Sequence, residues 1–162
     1  MLVSKNWSKW WRRFLDIGPD EAPSAVDFLR QRYVEEMQRI ERFKQHAAKM
    51  HYPQYREKFL RMAQENSQHA ERIGAKIVAL GGALPDVAER RLTDENNWQS
   101  LATALDEENR AAERLPGQLR GIESAHPDIA KLLQQIAQEQ DNHREQLRGM
   151  LMRSDPFAQS LA

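Results

Sequence analysis

The chain has 162 residues, enough for one domain with a single hydrophobic core. Hydrophobic residues make up 40% of it and charged residues 30%, with only seven glycines and seven prolines, which is typical of a soluble helical protein. The formal net charge is zero, so the overall charge does not favour a nucleic-acid partner. The absence of cysteine excludes disulfides, thiolate metal sites, iron–sulfur clusters and cysteine nucleophiles.

Neither a membrane span nor a signal peptide is expected from the sequence. No apolar run approaches the ~18 residues that a transmembrane helix needs. The N-terminus is basic but lacks the continuous apolar core of a cleaved signal peptide. We therefore expect a cytoplasmic protein.

Residues 1–20 form a separate aromatic and basic segment. Trp7, Trp10, Trp11 and Phe14 recur at intervals of three and four, which predicts one aromatic face on a short amphipathic helix. Such a helix can lie in a membrane interface, which would make the protein peripheral to a membrane. The alternative is that the aromatic side chains fold onto the end of the main domain or onto a partner subunit.

Four long amphipathic patterns follow within residues 21–153, and residues 154–162 are expected to form a tail. The predicted helices begin near Ser24 with Asp27 in the first turn, near Pro53, after Thr93, and after a turn at residues 124–127. Gly81-Gly82 ends the second helix, and Pro116-Gly117 is expected to kink or interrupt the third.

The connections between these helices are short, long and short. Residues 83–93 show little helical periodicity, and about a dozen extended residues can reach ~40 Å. This pattern predicts an all-α four-helix bundle in which one long crossover runs along the bundle. Strand signals are absent from the sequence.

Two stretches repeat each other 74 positions apart, each late in a helical pattern. They read Ala63-Gln64-Glu65-Asn66-Ser67-Gln68-His69 and Ala137-Gln138-Glu139-Gln140-Asp141-Asn142-His143. The repeat places a histidine, with acidic residues nearby, at the same point of both halves of the chain.

Every predicted helix carries polar residues on its apolar stripe near mid-length. They are Glu36, then Asn66 and His69, then Glu107 or Glu108, then Gln140 and His143. Antiparallel helices would bring these side chains to one level of the interior. Buried carboxylates beside imidazoles are what a carboxylate-bridged site for two divalent cations requires. Three other histidines, His46, His51 and His126, lie near helix ends and are expected to face solvent or cap helices.

At roughly residues 24–152 the chain resembles the ferritin-like superfamily, which includes rubrerythrins and bacterioferritins. The resemblance is carried by residues 43–47, by His69-Ala70-Glu71-Arg72-Ile73 and by Ala79-Leu80-Gly81-Gly82. It implies two iron ions held by one Glu from each of the first and third helices and by Glu-x-x-His on the second and fourth. Glu107 lies at the family's interval before His143, whereas that interval before His69 falls on Tyr33.

The chain departs from this pattern at both Glu-x-x-His motifs. Asn66 and Gln140 stand where the family has carboxylates, and Glu65 and Glu139 lie one residue earlier. A slightly rotated helix could still offer each of these acids together with its histidine, because a spacing of four keeps both on one face.

The candidate metal ligands are therefore Glu36, Glu65, His69, Glu107, Glu108, Glu139 and His143. Tyr33, Asn66 and Gln140 are expected to lie beside these ligands and to hydrogen-bond to them.

Three functional interpretations remain open. The resemblance implies a ferritin-like protein that binds iron, or manganese or zinc, in the bundle core, and that oxidises iron, reduces peroxide or hydroxylates a substrate as a di-metal oxidoreductase. The alternative is a metal-free bundle with a degraded site that acts as an interaction or assembly module. In a third interpretation, the chain resembles demethoxyubiquinone hydroxylase, a bundle held on a membrane surface. A homo-oligomer, specifically a dimer, is expected.

Overall fold

The computed structural model describes residues 24–89, 91 and 96–154. Over these residues the chain forms four α-helices: α1 (Ala25–Lys49), α2 (Pro53–Ala79), α3 (Asn97–Leu119) and α4 (Pro127–Met152). The predicted all-α bundle is confirmed. Within this described part, no helix combines the length and the apolar character needed to cross a bilayer. The expectations for the aromatic segment 1–20, and for the tail beyond Ser154, concern residues outside the described ranges.

Helix α1 begins with the cap that the sequence predicts. The Ser24 hydroxyl accepts a hydrogen bond from the backbone N–H of Asp27 at 3.2 Å, and the Asp27 carboxylate accepts one from the backbone N–H of Ser24 at 3.3 Å. This reciprocal arrangement satisfies two of the N–H groups that the first helical turn leaves without partners.

Helix α2 begins and ends at residues that favour those positions. Pro53 occupies the first turn, where its missing N–H costs no helical hydrogen bond. Gly81 follows the helix with φ of 80°, a left-handed conformation that glycine adopts without steric cost.

Helix α3 continues through Pro116, so of the two expected effects, a kink or an interruption, the interruption is wrong. The helix ends one turn later, at Leu119. Pro116 has no N–H group, so the helix loses the one hydrogen bond that would end on the carbonyl of Ala112, and only three helical residues follow the proline. The bundle therefore keeps α3 as one element.

Two hydrophobic clusters occupy opposite halves of the bundle. One contains Phe43, Phe59, Leu101 and Leu147, together with their neighbours. The other contains side chains from the start of α1 and α4 and from the end of α2 and α3, including Leu29, Ile73, Leu115 and Ile129.

This arrangement fixes the direction of the helices. Helix α2 ends in the second cluster, whereas α3 begins in the first cluster, at the opposite end of the bundle. The two helix ends that this connection joins therefore lie at opposite ends of the bundle, as the sequence predicts. The first cluster contains the start of α2 and the end of α4, and the second contains the end of α2 and the start of α4, so these two helices run antiparallel.

Candidate functional site: a buried polar layer

A layer of polar side chains lies between the two hydrophobic clusters. Its members come from all four helices and are each at most 8% exposed: Glu36, Asn66, His69, Glu108, Gln140 and His143. The rings of His69 and His143 lie with their centroids 6.3 Å apart. The structure thus brings the two imidazoles and acids from α1 and α3 into one interior region, as expected.

Glu36 is the centre of this layer. Its side chain is fully buried, and Arg39, one turn along α1, donates to Oε1 from Nη1 at 2.7 Å. The amide nitrogen of Gln140 donates to Oε1 at 2.9 Å and to Oε2 at 3.1 Å. Arg32 Nη2 lies 3.7 Å from Oε1, and His69 Nδ1 lies 3.6 Å from Oε2. Both carboxylate oxygens are therefore surrounded by donors from the protein itself.

These donors determine the charge of Glu36. Burial alone would raise the pKa of its carboxyl group, because a charged form is poorly solvated in the interior. The effect of burial is outweighed by the charge of Arg39, the hydrogen bond with His69 and the charge of Arg32. Together they lower the pKa of Glu36 from 4.5 to about 2. Glu36 is therefore an ionised, internally neutralised carboxylate.

Arg39 also reaches the third helix. Its Nε lies 2.6 Å from Oε1 of Glu108, and both side chains are almost completely buried. Burial would lower the pKa of the guanidinium, but Glu108 and Glu36 raise it above its ordinary value. A permanent cation therefore lies between two buried carboxylates on different helices.

The two histidines and the two repeat acids form crossed pairs. His69 Nε2 lies 2.8 Å from Oε2 of Glu139, and His143 Nε2 lies 2.6 Å from Oε2 of Glu65. Each acid thus contacts the histidine of the other helix and not the one in its own repeat. Because α2 and α4 run antiparallel, the residue four positions before one histidine lies level with the other histidine.

The surroundings of the two pairs differ. Asn66 Oδ1 lies 3.2 Å from His69 Nδ1, and Arg72 Nη1 donates to both oxygens of Glu139 at 3.0 and 3.1 Å. Burial opposes ionisation of Glu139, but the hydrogen bonds with His69 and Arg72 leave its pKa below the ordinary value. In the second pair, Nδ1 of His143 is buried without a hydrogen-bond partner. Nδ2 of Asn66, beside the first pair, is also buried without one.

Two of the predicted site residues lie away from the centre. Glu107 is half-buried and pairs with Arg42, whose Nε lies 2.8 Å from its Oε2. Tyr33 lines a groove on the outer face of α1 and α2, together with Gly74 and Leu84. Of the two adjacent acids on α3, it is Glu108 that enters the layer.

Sequence reasoning missed the residues that neutralise this layer. Arg32 and Arg39 are only 2% and 3% exposed. Their spacing of four and three residues from Glu36 places all three on one helical face, and this signal was present in the sequence.

The expectation that His46 faces solvent or caps a helix is wrong. It is fully buried and packs on Phe59, with ring centroids 5.3 Å apart, and neither ring nitrogen has a partner. The pKa of His46 falls from 6.5 to about 4, mainly because of burial and, to a smaller extent, because of the nearby charges of Arg42 and Lys49.

The contacts do not fit a centre for two metal ions. A metal pair would need the carboxylates of Glu36 and Glu108, and one oxygen of each, Oε1, is already engaged by Arg39. Gln140 presents its N–H group to Glu36, and an N–H group repels a cation. Among the described residues, no group of three or more His, Asp or Glu side chains is placed to hold a metal ion.

Comparison with known proteins agrees with this architecture. The family model described as Ferritin: Ferritin-like domain matches residues 26–154, which include all four helices. The match does not distinguish the rubrerythrin type from the bacterioferritin type. No curated protein matches the chain.

Proposed function

The chain belongs to the ferritin-like domain family, and on that premise we propose that it is an assembly module whose interior is neutralised by arginine and needs no metal. The family typically handles iron, with acidic side chains that face cations in the bundle core. In this chain the same level of the bundle holds guanidinium groups. The fold is then retained as a scaffold, and its function lies on its surface.

The position of Arg39 between Glu36 and Glu108 is the observation that carries this proposal. Removing a charge from water is costly unless an opposite charge compensates it nearby. Two dications entering this layer would have to displace a guanidinium that both carboxylates already bind. They would gain only amides where the family has two further carboxylates, at Asn66 and Gln140.

The outer face of α1 and α2 is the surface that favours assembly. It contains a groove of about 700 Å³ lined by Tyr33, Met37, Ala70 and Gly74, among others. Val78 is 61% exposed beside this groove. Exposed apolar side chains around a concave face are typical of protein–protein contact sites. A second copy of the chain, related by a two-fold axis, would cover the same patch on both subunits.

Iron analysis of two proteins tests the interior part of the proposal. The unaltered chain, purified without chelator and exposed to ferrous iron in air, is expected to hold well below one metal ion per chain. The variant Asn66→Glu/Gln140→Glu adds two buried carboxylates and is expected to hold more iron than the unaltered chain. Stoichiometric iron in the unaltered chain would refute the proposal.

Sedimentation velocity tests the surface part. Val78→Glu introduces a charge into the proposed contact, so a dimer is expected to dissociate to monomers. The matched control is Met152→Glu on α4, where the side chain is 81% exposed and away from the groove. A dimer that survives Val78→Glu, or a chain that is monomeric from the start, would contradict this face as the contact.

Iron binding remains the second candidate, and one observation favours it. The buried Nδ1 of His143 has no partner, and an imidazole nitrogen with a free lone pair is a good ligand for iron or zinc. In this case Glu36, Glu65, His69, Glu107, Glu108, Glu139 and His143 would supply the ligands, after Arg39 had moved away. The iron analysis above distinguishes the two candidates.

A further inference from the structure

We propose that the cleft between α3 and α4 is a binding site for a small neutral molecule that carries a carboxamide group on an apolar body. The cleft has a volume of about 870 Å³ and lies on the opposite hairpin from the assembly face. Small-molecule sites usually have volumes of roughly 300–1,000 Å³. This proposal does not depend on the proposed function.

Between its charged and polar residues, the cleft has a strip of apolar side chains, several of them small. Ala111 and Ala112 line it from α3 and Ala137 lines it from α4, with Leu115 and Leu119 further along α3. Because alanine fills little space between two helices, these positions leave the seam open. The middle of the site therefore suits an aliphatic or aromatic body.

A buried donor without a partner lies in the wall of the cleft. Arg32 lines the site and is 2% exposed, and its Nη1 is bound to Glu35 at 2.7 Å. Its Nη2 lies 3.7 Å from Glu36, whereas its Nε has no hydrogen-bond partner. A buried N–H group without an acceptor costs free energy, and a ligand oxygen would remove that cost.

Gln140 supplies the complementary group. It also lines the cleft, and its amide nitrogen is committed to the two oxygens of Glu36. What it can offer to a ligand is its carbonyl oxygen, which accepts a hydrogen bond. One donor on Arg32 and one acceptor on Gln140 match the C=O and N–H groups of a carboxamide.

The charges around the cleft favour a neutral ligand. The lining contains three arginines and four acidic residues: Arg32, Arg120, Arg144, Glu108, Glu113, Glu123 and Asp141. A carboxylate bound at Arg32 would lie close to Glu36 and Glu108, and this repulsion is strong in a poorly solvated interior. An ammonium group would instead face the guanidinium of Arg32. An uncharged head group avoids both costs.

Titration calorimetry with three chain-matched probes tests this assignment. Decanamide is expected to bind saturably with one site per chain. Decanoate and decylammonium are expected to bind roughly tenfold more weakly or not at all, since neither satisfies both Arg32 and Gln140. Equal binding of the three probes would mean that the cleft is only an apolar surface, and the absence of saturable decanamide binding would equally overturn the assignment.

Two variants locate the site. Ala137→Leu fills the cleft from α4 and is expected to weaken decanamide binding roughly tenfold, with the melting temperature showing that the bundle is intact. The matched control, Ala48→Leu, makes the same change at an exposed position of α1 and is expected to leave binding unchanged. Decanamide affinity that is insensitive to Ala137→Leu, or that falls equally in Ala48→Leu, would place any binding elsewhere and refute the assignment.

Arg32→Lys provides an independent check on the head group. Lysine keeps the positive charge but lacks the Nε–H group, so the preference for decanamide over decanoate is expected to shrink. A preference that stays unchanged in this variant would exclude Arg32 as the residue that recognises the ligand.

Discussion

Arg39 on α1 and Glu108 on α3 form an ion pair of 2.6 Å in the interior, between side chains that are almost fully removed from solvent. The same guanidinium donates to Glu36. One cation thus compensates two carboxylates and links α1 to α3. In the proposed function, this arrangement takes the place that a metal ion has in the family.

Loss of Arg39 is expected to destabilise the bundle strongly. Arg39→Met leaves Glu36 and Glu108 buried without their cation, and removing one partner from a buried ion pair typically costs about 3–5 kcal/mol. Urea denaturation measures the change in the free energy of unfolding. Arg42→Met is the matched control, because its pair with Glu107 is partly exposed and is expected to contribute no more than about 1 kcal/mol. Equal effects of the two variants would contradict the central role of Arg39.

Both crossed pairs between α2 and α4 are expected to contribute to stability. Glu65→Ala leaves Nε2 of His143 without its partner, and Glu139→Ala does the same to His69. Because both acids are partly exposed, water can take their place in part, and each change is expected to cost about 1 kcal/mol. Glu145→Ala, at an exposed position on α4, serves as the control.

A double-mutant cycle checks which histidine each acid contacts. The cycle of Glu65→Ala with His143→Ala should give a measurable coupling energy, and the cycle of Glu65→Ala with His69→Ala a smaller one. The reverse order would mean that the acids act within their own helices, as the spacing in the sequence first indicated.

His46 is expected to make stability depend on pH between about 6.5 and 4. Its pKa is about 4 in the folded chain, compared with 6.5 when it is exposed. The unfolded chain therefore takes up the proton first as the pH falls, and stability decreases across this window by up to about 3 kcal/mol. His46→Leu should flatten the profile there, whereas His51→Leu, an exposed site, should not. An unchanged profile in His46→Leu would refute this explanation.

Two glycine substitutions should have opposite effects on stability. Gly81 has a φ of 80° with open space around it, so Gly81→Ala is expected to cost about 1 kcal/mol from backbone strain alone. Gly149 lies inside α4, where alanine favours the helix, and Gly149→Ala is expected to stabilise by about 0.5–1 kcal/mol. Thermal melting of the two variants decides this, and a stabilising Gly81→Ala would argue against a left-handed end to α2.

The helices could be predicted because each local signal agrees with the fold. Ser24, Pro53 and Gly81 mark helix ends by their own backbone chemistry, and the apolar stripes place the core faces. The level of the polar layer also followed from the sequence, because the repeat fixes the histidines at equivalent positions.

The chemistry of the layer could not be predicted in the same way. Glu36 on an apolar stripe indicates that some cation compensates it, but the sequence does not say whether a metal ion or an arginine does so. The resemblance to metal-binding relatives favoured a metal. The contacts of Arg39 depend on how α1 is rotated against α3, and the crossing of Glu65 and Glu139 depends on the antiparallel pairing of α2 with α4. Both are tertiary properties.

A crystal structure of the chain grown with ferrous iron or manganese, with anomalous data at the metal edge, distinguishes neutralisation of the core by arginine from neutralisation by metal. We expect Arg39 between Glu36 and Glu108 and no anomalous peak in the polar layer. A peak coordinated by Glu36 and the two histidines, with the Arg39 side chain displaced from Glu108, would contradict it.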